Sequence, residues 1–128
     1  MGALEKLSVE STMAAIMEAA SDNRYLCYAD VAAANRLEWS LELSRNINKH
    51  LNEVLIKADA DGLPLITSIV VNKPNLKTGR LEAVALKGFV KCANGLGHQV
   101  SDLNAESFLS EQQRETFVYA LSLKKGVV

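Results

Sequence analysis

Residues 29–58 decide how this chain reads: ADVAAANR at 29–36, LEWS at 37–40 and LELSRNINKHLNEVLIKA at 41–58. The first run is Ala-rich, a good helix former, and Asn35 offers a stop. Ser40 is a natural N-cap for the 41–58 run, although Leu43 stands where a capping box would place Glu. From there Leu43, Ile47, Leu51, Val54, Leu55 and Ala58 recur at i, i+4, i+8, i+11, i+12 and i+15. That spacing puts them on one stripe of a helix. Arg45, Asn48, Lys49 and Asn52 fall on the other side, with Glu42 and Glu53 at its margins. A short helix, a tight connection through Leu37-Glu38-Trp39 and a longer helix have helix-turn-helix proportions.

Working outward, residues 4–21 place Leu4, Leu7, Met13 or Ala14, Ile16 or Met17 and Ala20 at helical spacing, and Ser21-Asp22-Asn23 ends the run. On the other side Asp59-Ala60-Asp61-Gly62 stops the long helix. Leu65-Ile66-Thr67-Ser68-Ile69-Val70-Val71 is apolar and β-branched, so 65–71 reads as the one clear strand, with Pro64 tolerated at its start. Asn72 to Gly79 is a basic, turn-rich loop. Helical spacing returns over 82–94 through Leu81, Val84, Ala85, Phe89 and Ala93. Residues 98–107 read as loop, and Ser110 as the cap of a last helix over 111–124, whose closing lysines suit the helix dipole. The expected fold is mostly helical α+β, with about five helices and one strand, in a single domain over 1–128.

Composition fits that frame. Apolar residues make up 48% of the chain and charged residues 23%, as in ordinary globular domains. At 128 residues the chain needs no disulfide or metal to hold a core. Tyr25, Tyr28, Trp39, Phe89, Phe108, Phe117 and Tyr119 are the whole aromatic set, so the core must be mostly aliphatic. Cys27 and Cys92 are isolated, without CxxC or Cys/His ligand spacing, and read as reduced, small hydrophobic side chains. With no apolar leader at the N-terminus and no run long enough to cross a bilayer, the expected compartment is the cytoplasm and no membrane partner is expected.

The net charge of −1 argues against indiscriminate nucleic-acid binding, but its distribution is uneven. Residues 1–44 hold three basic and seven acidic side chains, residues 45–91 eight and four, and residues 92–128 three and four. The basic middle could face an anion, or be an ordinary fluctuation along a solvated surface. Within it Arg45 and Lys49 could meet guanine acceptors or phosphates, and Asn48 and Asn52 could pair with adenine. Lys73, Lys77 and Arg80 lie in the loop behind the strand, where a wing would touch phosphates.

No other motif is complete. Asp59-Ala60-Asp61-Gly62 resembles part of a calcium loop, yet Lys57 stands where an oxygen ligand is needed and Ser68 where the loop's closing Glu is needed. Gly95-Leu96-Gly97 follows a helix and is too short for a dinucleotide fingerprint. Cys92 and His98 could form half a metal site but lack further ligands, and no nucleophile–base grouping stands out. No enzyme activity, metal or cofactor is expected.

Tyr28-x-x-Val31-Ala32, Arg45-x-Ile47-x-x-x-Leu51, Leu63-Pro64-Leu65 running into Ser68-Ile69-Val70-Val71-Asn72-Lys73, Gly88-Phe89, Gly97, Gln113 and Phe117 follow one another in a consistent order. Together they resemble a winged-helix-type module at the N-terminus of restriction-associated HNH nucleases. The first half is also similar to the DNA-binding domain of alkylguanine DNA alkyltransferases. There a Pro-Cys-His-Arg motif carries the reactive cysteine; here residues 65–71 contain neither Cys nor His. The resemblance therefore implies a fold and a DNA-facing helix, not alkyl transfer, and no HNH segment is present. The expected function is a noncatalytic, double-stranded-DNA-contacting module from a defence or mobile-element context. The alternative is a protein-interaction or homo-oligomerisation module without a nucleic-acid role, the apolar helix 4–21 supplying its spare surface and a homodimer its simplest form.

Overall fold

The computed structural model describes residues 6–125, apart from the side chain of Lys125. Helix α1, Val9–Ser21, starts where Ser8 Oγ accepts a hydrogen bond from the Ser11 amide at 3.1 Å. Leu4, expected in this helix, lies outside the described residues. A two-residue strand β1, Leu26–Cys27, leads directly into α2, Tyr28–Ala34. Asp30 Oδ2 accepts from the Cys27 amide at 2.9 Å, holding the first turn. Asn35 ends α2 as its composition suggested, and Arg36 comes next at φ 60°. Helix α3, Leu41–Ala60, has the expected Ser40 cap, whose Oγ accepts from the Leu43 amide at 3.1 Å.

The apolar run after Pro64 departs from its expected form. Only Val70–Val71 is a strand, β2, paired in parallel with Leu26–Cys27, while Ile66–Ile69 is a 3₁₀ turn. The reason lies before β1: in the parallel register Leu26↔Val70, residues 66–69 would have to pair with residues 22–25, where α1 has just ended in a turn with Asn23 at φ 56°. Leu65 to Val71 are nevertheless all buried, so their apolar character reports burial rather than strand. Backbone groups of this segment are served by helix α5 instead. Gln112 Oε1 accepts from the Leu65 amide at 2.9 Å, and Gln113 Nε2 donates to the Ser68 carbonyl at 2.9 Å and the Gly79 carbonyl at 2.7 Å.

Helix α4, Ala83–Gly95, lies close to its expected span. Helix α5, Ala105–Lys125, starts well before the Ser110 expected to cap it. The Asn104 carbonyl already accepts from the Phe108 amide, and Asn104 Oδ1 accepts from the Ser101 amide at 2.7 Å. The inward stripe of α5 runs Ala105, Leu109, Gln112, Gln113, Thr116 and Ala120, all buried. Half of those are polar, which hides the period from a count of apolar residues. Among the described residues, five helices and one small parallel sheet make a mostly helical α+β fold.

Helix α3 separates two cores. Leu43, Ile47, Leu51, Val54 and Ala58 pack with Ile16 and Ala19 of α1, Val31 of α2, and Ile66 and Ile69. Leu55, on the neighbouring edge of α3, joins Leu65, Phe89, Ala93, Val100 and Leu109 in the second. The apolar residues of α1 are spent inside the first core. The exposed large apolar side chains lie elsewhere, Val118, Leu121 and Leu123 of α5 among them. No helix among the described residues is long and apolar enough to cross a membrane.

Candidate nucleic-acid interface

Helices α2 and α3 follow one another through the connection 35–40, the succession the sequence spacing called for. The second helix keeps its apolar stripe inward, as the spacing required. Arg45, Asn48, Lys49 and Asn52 are all exposed, and none of the four makes a side-chain hydrogen bond or an ion pair among the described residues. Exposed acids elsewhere do engage: Asp22 sits 3.7 Å from Arg24, and Asp61 bonds Lys57 at 3.1 Å.

The four do not all look the same way. Asn48 and Asn52 are on the edge of α3 that faces α4, while Arg45 and Lys49 extend from its outer side into solvent. Between α3 and α4 runs a groove with two adjoining hollows of about 210 and 240 Å³ that share Tyr28, Asn48, Val84 and Ala85 as walls. Asn52, Thr67 and Phe89 line the first, and Trp39, Asn72 and Glu82 the second.

The basic loop is a compact turn rather than a β-hairpin, because no strand follows β2 among the described residues. Its two roots, Asn72 and Glu82, lie beside Asn48 in the second hollow, and Asn75 Nδ2 donates to Glu82 Oε1 at 3.2 Å. Its far bend is clamped elsewhere. Gly79, at φ 74°, lies so close to the Tyr25 ring that a Cβ there would overlap it, and its carbonyl is held by Gln113. Lys73, Lys77 and Arg80 are exposed and free of ion pairs among the described residues. Lys73 adjoins the Asn72 root, whereas Lys77 and Arg80 flank the far bend. The structure thus groups Asn48 with the loop roots, and Asn52 with the adjoining hollow. Arg45, Lys49, Lys73, Lys77 and Arg80 are all given to solvent.

Four residues of the groove are not among those the sequence singles out for binding: Tyr28, Trp39, Asn72 and Glu82. The Tyr28 and Trp39 rings are nearly parallel, 21° between planes, with centroids 6.4 Å apart. Burial holds the Tyr28 phenol above its ordinary range, and the nearby Glu82 carboxylate adds to the shift by opposing a second negative charge. No local spacing links residues 28, 39, 72 and 82. The sequence signal is one aromatic at the start of α2 and one in the connection after it, and it does not say that they meet.

Cys92, His98 and Asp59 gather at the other side of α4. His98 Nε2 lies 3.3 Å from Asp59 Oδ1, and burial together with the Asp59 charge pushes the Cys92 thiol up. A raised thiol is the wrong direction for a nucleophile. Among the described residues no three His, Cys, Asp or Glu side chains are placed to hold a metal. Cys27 is buried, with Sγ 3.3 Å from Asp30 Oδ2.

Compared with models of protein families, with curated proteins and with solved structures, the chain has no significant match in any of the three.

Proposed function

We propose that this chain is a noncatalytic DNA-contacting module in which α3 lies against a duplex and the loop at 73–80 touches phosphate. One observation carries the reading: the second helix of a helix-turn-helix unit presents Arg45, Asn48, Lys49 and Asn52 to solvent with none of them committed to another side chain. Amide and guanidinium groups in such a position can read base edges, and lysines can neutralise phosphates. The winged-helix-type resemblance supports the same assignment and a defence or mobile-element setting in the cytoplasm. Glu53 and the net charge of −1 keep nonspecific affinity low.

Titration of a fluorescent duplex at low salt tests this directly. Wild type binds, and Arg45→Ala with Lys49→Ala weakens binding. The double variant also has a shallower logarithmic salt dependence, by about 0.9 for each phosphate it no longer neutralises. Absence of duplex binding by the wild type at low salt sinks the reading.

A second reading has its own observation. Val118 and Leu121, three apart on one side of α5, are 57% and 45% exposed, apolar surface suited to a protein partner or a second copy. Light scattering over a concentration series separates the two-copy form from a monomer.

A further inference from the structure

We propose that the hollow between Trp39 and Glu82 is a binding site for an organic cation, an alkylammonium or guanidinium group. Two aromatic side chains, Tyr28 and Trp39, line it with centroids 6.4 Å apart, so one positive charge can sit within cation–π range of both rings. Trp39 is 45% exposed although it is the largest side chain in the chain, which leaves much of its surface open to a guest.

Glu82 supplies the opposite charge, and it is the only charged side chain among the residues lining the hollow. Its Oε1 is fixed by Asn75 at 3.2 Å, and Oε2 makes no such bond. The carboxylate is therefore positioned but not neutralised. Asn72, also in the wall, has its side-chain oxygen buried without a hydrogen-bond partner among the described residues. Rotation of that amide toward a guest N–H would satisfy an acceptor that the protein itself leaves unmet. Paired rings, one carboxylate and a spare acceptor in a hollow of about 240 Å³ match the size and chemistry of a single cationic head group. A phosphate or carboxylate guest meets the wrong charge there.

The cation can come from a free amine or from a lysine or arginine side chain of a partner protein. The site shares Asn48 with the proposed duplex surface but uses none of Arg45, Lys49, Lys73, Lys77 or Arg80, and its test contains no DNA, so failure of one proposal does not decide the other. Trp39 is the sole tryptophan, and its fluorescence reports on the hollow without a label. Tetramethylammonium chloride and a short capped lysine peptide are titrated separately against sodium chloride at matched ionic strength. The expected result is a saturable change in Trp39 emission absent with sodium. Tighter binding of the peptide assigns the site to a side chain, and tighter binding of the small ion to a free amine. Glu82→Gln, which keeps an acceptor for Asn75, weakens binding by roughly fivefold or more. Trp39→Leu, monitored by calorimetry, weakens it as well. No saturable change with either probe, or affinity unaltered in Glu82→Gln, overturns the proposal.

Discussion

His50 shows how much one side chain of α3 can carry. It stands between the apolar positions Ile47 and Leu51, and only 1% of it is exposed. Thr12 Oγ1 accepts from Asn35 Nδ2 at 3.0 Å and lies 2.7 Å from His50 Nε2, so its hydroxyl is free to donate to a neutral imidazole. Asn35 Oδ1 in turn accepts from the Ser8 amide at 2.7 Å, so α1, the end of α2 and α3 meet in one buried network. Burial lowers the His50 pKa from its ordinary 6.5, and Glu53 opposes that only in part. A histidine with a depressed folded value contributes stability above its unfolded pKa and loses it as pH falls below about 6.5 toward the folded value. Stability measured by denaturant at pH 7.5 and at pH 5 therefore drops, and His50→Gln shows a smaller drop across the same interval. An equal drop in the variant would place the acid sensitivity elsewhere. Two glycines give a second contrast at this scale. Gly62 and Gly79 have nearly the same φ, 75° and 74°, but a Cβ meets nothing within 4 Å at Gly62 and runs into Tyr25 at Gly79. Gly62→Ala costs about 1 kcal/mol, the backbone strain alone. Gly79→Ala adds overpacking against the ring and costs about 2–4 kcal/mol. Denaturation midpoints of the two variants, compared directly, read out the difference.

At the scale of elements, α5 is a strut for chain that lacks sheet partners. Gln113 holds the Ser68 and Gly79 carbonyls together from a buried position, bridging the 3₁₀ turn and the far bend of the basic loop. Gln113→Leu removes both bonds with little change in volume and leaves two carbonyls without a partner, at a cost of about 2–4 kcal/mol. Hydrogen exchange over residues 66–80 should speed up more than exchange in α1, and uniform acceleration would count against a local strut. The same residues explain what could be read from the sequence. Helix α3 was legible to its cap because its inward positions are aliphatic apart from His50, and Ser40 starts it. The 65–71 segment was legible as buried but not as a 3₁₀ turn, since its conformation depends on β1 being two residues long. The early start of α5 was hidden by its buried Gln112, Gln113 and Thr116, which polarity alone assigns to the surface. Arg45, Asn48, Lys49 and Asn52 were legible as the outer side of a helix. The hollow that Asn48 shares with Tyr28, Trp39, Asn72 and Glu82 was not, because it is assembled from segments far apart in the chain.

For the whole molecule, the decisive feature is that one helix belongs to both cores. Val54 lies in the first and Leu55 in the second, adjacent in sequence and pointing to different neighbours. If the cores were separable, loss of packing in the second would loosen α4 and the start of α5 while α2 and α3 stayed intact. A shared helix makes that costly, since the backbone of α3 cannot unwind on one side alone. The bonds of Gln112 and Gln113 to residues 65, 68 and 79 tie the cores a second time. Leu55→Ala, which removes a nearly fully buried side chain, should cost about 2–5 kcal/mol. It should also leave a single cooperative transition. Trp39 emission senses the groove beside α3, whereas far-ultraviolet circular dichroism sums over all five helices. In wild type and Leu55→Ala alike the two signals should fall on one denaturation curve. A variant in which helicity is lost before the Trp39 signal moves would show that the second core unfolds by itself. Helices α2 and α3, with the duplex contact proposed for them, would then belong to a separately stable half of the chain.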